Sequence, residues 1–121
     1  MAGMESFPRL RKRRPREDDS MLSCEKNKNT LIVRLGGELD HSAASRVRTE
    51  LDRMIVDSHI RRLIFDLKEL RFMDSSGIGL ILGRYNLLSR RGGSVAISGS
   101  NPRIERIFEM AGLFQLVERM A

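Results

Sequence analysis

Residues 63–79 read LIFDLKELRFMDSSGIG, and this stretch decides the fold. It begins with an apolar run at residues 63–67, which has the length and composition of a strand covered on both faces. A helix is predicted to begin at Ser75, with apolar residues recurring at helical spacing beyond it and Gly92-Gly93 ending it. A buried strand followed by an amphipathic helix is the repeating unit of an α/β fold.

The same alternation extends to both sides of this unit. Asp40 and Asn101 are good N-caps, and each precedes a further stretch with one apolar helical face. The predicted strands cover residues 21–26, 31–35, 63–67, 95–97 and 116–118. The order β-β-α-β-α-β-α-β predicts an α/β protein with a mixed sheet of about four to five strands and helices packed on it.

The second predicted helix has a core stripe formed by Ile78, Ile81, Leu82, Tyr85 and Leu88. Leu80 and Leu87 lie off this stripe, and the pattern leaves open whether they join the core or form an apolar patch for a partner. Gly77, Gly79 and Gly83 are costly inside a helix. They indicate close approach of the helix backbone, either to the sheet or to a partner.

The composition fits one small domain. The chain has 121 residues, a net charge of +6 and a single cysteine, Cys24. His41 and His59 show no ligand spacing with it, so we expect no disulfide, metal site or cofactor. No apolar run approaches the roughly 20 residues that span a bilayer, and no secretory signal is visible, so we expect a cytoplasmic protein without a membrane partner.

The first twenty residues differ from the rest. Six of the eight residues at positions 9–16 are basic, and an acidic run follows at residues 17–19. Such a segment has too few apolar groups to offset its ordering entropy, so we expect residues 1–20 to be a disordered extension and residues 21–121 to be the folded domain. A tether to nucleic acid or to a membrane surface is the alternative for the basic cluster.

Two loops connect a predicted strand to the helix after it: residues 36–40, GGELD, and residues 73–77, MDSSG. If the two strands are parallel neighbours, both loops emerge at the carboxyl edge of the sheet. Open α/β sheets place their binding sites at this edge.

These loops and their surroundings carry a family resemblance. Residues 37–41 (GELDH), 72–79 (FMDSSGIG), 81–85 (ILGRY) and 108–114 (FEMAGLF) closely resemble the anti-sigma factor antagonists of the STAS domain family, above all those that control sigma-F in sporulation. The resemblance spans about residues 22–118. It implies a STAS-like fold and a protein that works by partner switching.

The resemblance also implies a mechanism. The unphosphorylated protein would bind an anti-sigma factor that is also a serine kinase, together with its bound nucleotide, and free the sigma factor for transcription. The kinase would then phosphorylate Ser75 and end the interaction, and a serine phosphatase would restore it. The implied partner-binding residues are Glu38, Asp40, Asp74, Ser75, Ser76, Gly77 and Arg84. No catalytic residue is implied.

Other functions fit parts of the sequence. Ser75 and His41, with Asp74 or Asp40, could be read as a hydrolase set. However, an Asp adjacent to the serine cannot easily orient the histidine, and the Gly-x-Ser-x-Gly elbow is absent, so we do not expect an enzyme. Another STAS role, as a module of a stress-response complex, is the main alternative. Ser75 could also serve only as the N-cap of its helix, and Asp74 could cap the helix or order the loop.

Overall fold

The computed structural model describes residues 4–6, 21–57 and 59–120, and six strands and three helices lie within them. The strands are β1 Met4–Ser6, β2 Met21–Asn27, β3 Thr30–Leu39, β4 Arg62–Met73, β5 Ser94–Ser98 and β6 Glu118–Met120. The helices are α1 His41–Asp57, α2 Ser75–Ser89 and α3 Pro102–Met110, and a 3-10 turn covers Leu113–Gln115.

The strands form one mixed sheet whose spatial order follows the chain from β1 to β6. The first three strands pair antiparallel, and β3 to β6 pair parallel through the three helices. This confirms the α/β mixed sheet. The additional strand is β1, which pairs with β2 and comes from the segment that we expected to be disordered. The basic cluster at residues 9–16 lies outside the described residues, so its disorder or tethering stays a prediction.

Alternate residues of β3, β4 and β5 build the core. Leu31, Val33, Phe65 and Ile97 are among the side chains that face inward and are at most 1% exposed. The helix α1 packs on β3 and on α2, α2 packs on β4 and β5, and α3 packs on β4. Within the described residues, no helix is both long and apolar enough to cross a membrane.

The core side of α2 is wider than the sequence pattern predicted. Leu80 is 3% exposed and belongs to the core, whereas Ile78, Leu82 and Tyr85 are only partly buried. The reason is that α2 is covered on two sides, by the sheet and by α1, so its buried arc extends beyond a single stripe.

The C-terminal strand also begins later than predicted. Residues 113–115 form the 3-10 turn after Gly112, whose backbone is left-handed with φ 72°. The strand β6 therefore starts at Glu118 and pairs parallel with β5. In α3, Asn101 caps the helix as predicted, and Pro102 takes its first position.

Candidate functional site

The two strand-to-helix loops lie side by side at one edge of the sheet. The strands β3 and β4 are parallel neighbours, with Leu39 opposite Met73 and Glu38 opposite Phe72. The backbone N–H of Asp74 donates to the carbonyl of Leu39 at 3.3 Å, so the ends of the two strands are joined by a hydrogen bond. The prediction that both loops meet at the carboxyl edge is confirmed, and we call residues 38–40 and 74–77 the switch edge.

Each loop contains an aspartate that caps the following helix. The carboxylate of Asp40 accepts from the backbone N–H of Ala43 at 2.9 Å, and that of Asp74 accepts from the N–H of Ser76 at 2.9 Å. Both carboxylates satisfy backbone donors that a helix N-terminus leaves without an intrahelical partner. The alternative that Ser75 caps α2 is wrong, because Asp74 is the cap and Ser75 is the first helical residue.

Ser75 is exposed at the start of α2, and Ser76 beside it is half-buried. Backbone N–H groups and the helix dipole concentrate positive potential at this end of a helix. Ser75 is thus accessible to solvent, and it lies where the fold tolerates negative charge. Glu38 lies on the neighbouring strand β3 and is half-buried. Only Leu39 separates it from the cap residue Asp40.

The glycines of α2 divide into two kinds. A Cβ on Gly77 would collide with the side chain of Met73 and lie 3.2 Å from Cδ2 of Leu39, so this residue lets the helix backbone pack on the sheet. A Cβ on Gly79 or on Gly83 would meet nothing within 4 Å. The question left open by the sequence is thus answered for Gly77, while the other two glycines leave bare helix backbone facing open space.

Arg84 is not on the switch edge. Its side chain is 9% exposed and faces α1, where its Nε lies 3.1 Å from a carboxylate oxygen of Asp52. Burial lowers the pKa of the Arg84 guanidinium; Asp52 opposes this shift and the like charge of Arg48 adds to it. The structure brings the other predicted partner-binding residues together at the edge and places Arg84 in the seam between α1 and α2.

Sequence reasoning overlooked Phe72, an exposed aromatic residue beside the candidate site. It lies directly before the second loop, is 44% exposed and sits opposite Glu38 in the register of β3 and β4. Aromatic residues, Phe among them, are enriched in protein–protein interfaces relative to the rest of the surface. The sequence contained a signal for this. Phe72 and Met73 are consecutive apolar residues, and consecutive residues of a strand point to opposite faces of the sheet, so only one of them can face the core.

Cys24 takes no part in the site. It lies on β2 and is 7% exposed. Burial raises the pKa of its thiol to about 12, and the negative charge of Glu50 adds to this. The thiol is therefore protonated and unreactive at neutral pH.

Comparison with known proteins gives relatives that cover most of the chain. The anti-sigma F factor antagonist of Paenibacillus polymyxa is 43% identical over 96 residues, which are 79% of this chain and 82% of the relative. An anti-sigma-B factor antagonist of Staphylococcus aureus is 34% identical over 85 residues, which are 70% of this chain and 78% of the relative.

Solved structures give the same result for the fold. The unphosphorylated form of the anti-sigma factor antagonist SpoIIAA matches with a TM-score of 0.75 and 31% identity, over 83% of this chain and 88% of that one. The phosphorylated form of the Bacillus SpoIIAA matches with a TM-score of 0.69, also at 31% identity, over 83% of this chain and 91% of that one. The sequence profile of the STAS domain matches residues 21–121, and the chain therefore belongs to the STAS domain family.

Proposed function

We propose that this protein is a cytoplasmic anti-sigma factor antagonist that works without catalysis of its own. In its unphosphorylated form it binds an anti-sigma factor that is also a serine kinase, and the sigma factor is released. The kinase phosphorylates Ser75 with ATP, which ends the interaction, and a serine phosphatase reverses the modification. The observation that carries the proposal is the exposed Ser75 on the switch edge of a chain that is 43% identical to an anti-sigma F factor antagonist.

The position of Ser75 supports its role as the acceptor. Ser75 is exposed, so a kinase can reach it, whereas Ser76 is half-buried and its backbone N–H donates to the cap residue Asp74. A phosphate on the first residue of α2 adds about −1.5 to −2 charges at a helix N-terminus, where the dipole stabilises negative charge. The protein itself should therefore remain folded after modification.

The effect of the phosphate then falls on the partner. A partner fitted to the unmodified edge has no space for the added group. Where the phosphate faces a carboxylate of the partner about 5 Å away, repulsion costs roughly 3 kcal/mol per charge pair at an effective dielectric of 20. This alone would weaken binding by about two orders of magnitude.

Two relatives support the view that the fold accommodates the phosphate. The unphosphorylated and phosphorylated SpoIIAA structures each match this chain over 83% of its length, with TM-scores of 0.75 and 0.69. A switch of this kind acts by changing one surface, and needs no second conformation of the sheet or the helices.

Sigma-F of sporulation is the favoured target, and sigma-B of the stress response is the second candidate. The identity is 43% to an anti-sigma F factor antagonist and 34% to an anti-sigma-B factor antagonist. Binding measured side by side to the anti-sigma F factor of Paenibacillus polymyxa and to the anti-sigma-B factor of Staphylococcus aureus would separate the two. We expect the former to bind at least about tenfold more tightly, which corresponds to about 1.4 kcal/mol in binding free energy.

Mass spectrometry tests the modification. The purified chain is incubated with ATP and the anti-sigma F factor of Paenibacillus polymyxa, and intact and fragment masses are recorded. We expect one phosphate on Ser75 in the wild type and in the control Ser76→Ala, and none in Ser75→Ala. Phosphate on Ser76 would refute the proposed acceptor. So would the absence of phosphate on this chain when the same kinase preparation modifies the Paenibacillus polymyxa antagonist.

A further inference from the structure

A cleft of about 290 Å³ opens between the N-terminal halves of α1 and α2. The helix α1 contributes His41, Ser45 and Arg48 to its lining, and α2 contributes Ser76 and Gly79. Ala44 and Leu80 form its apolar remainder. We call it the α1–α2 cleft. It adjoins the switch edge, because Ser76 belongs to both.

The charged lining of the cleft is positive. Arg48 is a cation, and none of the described residues that line the cleft is acidic. The nearby carboxylates have other tasks: Asp40 and Asp74 cap the helices, and Asp52 lies 3.1 Å from Arg84. The helices α1 and α2 also start beside the cleft, and their dipoles favour a negative group there.

Arg84 adds to this positive potential from the inner end of the seam. It lies one helical turn beyond Leu80, and its Nη1 is buried without a hydrogen-bond partner among the described residues. The carboxylate of Asp52 beside it is 41% exposed, so part of that negative charge is screened by water. A negative group entering the cleft would approach two guanidiniums and one partly screened carboxylate.

The volume of the cleft indicates what can occupy it. Pockets for small-molecule ligands range from about 300 to 1,000 Å³, so this cleft is at or below their lower limit. A single protruding side chain fits better than a nucleotide. Because Gly79 has no side chain and nothing lies within 4 Å of where its Cβ would be, the incoming group can reach the backbone of α2.

We propose that the α1–α2 cleft receives an acidic side chain of the anti-sigma factor, whose carboxylate pairs with Arg48 and accepts from the hydroxyls of Ser45 and Ser76. This inference rests on the proposed function and adds a second contact to the switch edge. It also gives the phosphate on Ser75 a specific target. A phosphate beside Ser76 stands at the mouth of the cleft, where it repels the incoming carboxylate and attracts Arg48 to itself.

A charge-matched pair of variants tests the ion pair. Arg48→Ala is compared with Arg46→Ala, which removes the same charge from an exposed residue of α1 that does not line the cleft. Binding to the anti-sigma F factor of Paenibacillus polymyxa is measured by calorimetry at low and high salt. We expect Arg48→Ala to weaken binding at least about tenfold at low salt and Arg46→Ala less than about threefold, with Arg48→Lys in between.

A size-matched pair tests occupancy without changing charge. Gly79→Leu fills the cleft, whereas Gly83→Leu places the same side chain in open space one turn further along α2. We expect loss of binding of at least about tenfold for Gly79→Leu only. Circular dichroism and thermal unfolding verify that every variant is folded; Arg48 is exposed and repels Arg84, so its removal should not destabilise the protein.

A charge swap identifies the partner residue. Each Asp and Glu of the anti-sigma factor is replaced by Lys, and one replacement should restore binding to Arg48→Glu while weakening binding to the wild type. In the background of Ser75→Glu, the difference between Arg48→Ala and Arg46→Ala should shrink to less than about threefold. If the wild type binds but Arg48→Ala and Arg46→Ala bind with equal affinity, this inference alone is overturned. Failure of the wild type to bind would overturn the proposed function and this inference with it.

Discussion

At the scale of single residues, burial decides which reactive groups can take part in chemistry. The exposed hydroxyl of Ser75 and the buried thiol of Cys24 are opposite cases. The serine has an unremarkable side chain in an accessible position beside a helix dipole. The cysteine belongs to the more nucleophilic residue type, but its thiolate form is disfavoured where it lies.

The thiol of Cys24 should react slowly and make the protein sensitive to alkali. Its pKa is raised from 9.0 to about 12, so the thiolate fraction at pH 8 falls by about a thousandfold relative to the unfolded chain. Below pH 9 the thiol is protonated in both states and adds no pH dependence to stability. As the pH rises from 9 to 12, the unfolded state loses its proton first, and stability falls by about 1.4 kcal/mol per pH unit.

Two measurements check this. The rate of alkylation is compared between the folded protein and the protein in guanidinium at pH 8, and urea unfolding is followed from pH 8 to 11 for the wild type and for Cys24→Ala. We expect slow alkylation in the folded state and a steeper decline for the wild type. Parallel stability profiles of the two proteins would contradict the assignment.

The glycines of α2 should respond to the same substitution with opposite signs. Gly77→Ala pushes a methyl group into the buried side chain of Met73, so we expect a loss of about 1–3 kcal/mol in the free energy of unfolding. Gly79→Ala and Gly83→Ala meet open space, so we expect a gain of about 0.5–1 kcal/mol from helix propensity. Urea unfolding of the three variants decides, and a gain for Gly77→Ala would refute the close packing on Met73.

At the scale of secondary-structure elements, α2 connects the site to the rest of the protein. Its N-terminus carries Ser75, its inner side packs on β4 and β5, and its flank packs on α1. The flank holds the pair of Arg84 and Asp52, in which a guanidinium that is 91% shielded from solvent meets a half-exposed carboxylate. Buried charge of this kind is expensive to leave without its partner.

Removing the carboxylate should therefore cost more than removing the guanidinium. We expect Asp52→Ala to destabilise the protein by about 1–3 kcal/mol, because the buried charge of Arg84 loses its counter-ion. Arg84→Met should cost less, since Asp52 can turn to water. The exposed pair of Arg53 and Glu50 is the control, and Arg53→Ala should change stability by less than about 0.5 kcal/mol. Thermal unfolding of these variants provides the test, and equal losses for Asp52→Ala and Arg53→Ala would contradict it.

The sequence sufficed for features that depend on local chemistry. The caps Asp40 and Asn101, the start of α2 and the shared edge of the two loops could be predicted, because capping and strand order are encoded within short segments. The burial of Leu80 and Arg84 could not, because it depends on how closely α1 approaches α2. The α1–α2 cleft was missed for the same reason, since its lining residues come from two different helices, at positions 41–48 and 76–80.

At the scale of the whole molecule, the helices cover one face of the sheet, and ion pairs cross the strands on the other. Arg34 lies 3.0 Å from Glu25 and 3.5 Å from Asp66, and Arg62 lies 2.8 Å from Glu118. These pairs join β2, β3, β4 and β6, with Arg62 also donating to Ser94 on β5. These contacts link the strands that carry the two loops of the switch edge to the rest of the sheet.

A negative charge at Ser75 should leave this fold intact. We expect Ser75→Glu to unfold at the same temperature as the wild type or about 1–4 °C higher, because the N-terminus of α2 favours negative charge. Ser89→Glu is the control, since Ser89 is the last residue of the same helix and the dipole opposes negative charge there. Calorimetry should show a lower midpoint for Ser89→Glu. A large loss of stability in Ser75→Glu would mean that phosphorylation acts by unfolding the helix.

The hydrogen bond from Asp74 to Leu39 has a consequence for timing. Because it joins the two loops at the ends of paired strands, we expect a partner to meet both loops in one fixed arrangement. Under the proposed function, the speed of response in a cell would then be limited by the turnover of the kinase and the phosphatase. A signal would be stored in the fraction of molecules carrying a phosphate, and would last as long as that ester bond escapes hydrolysis.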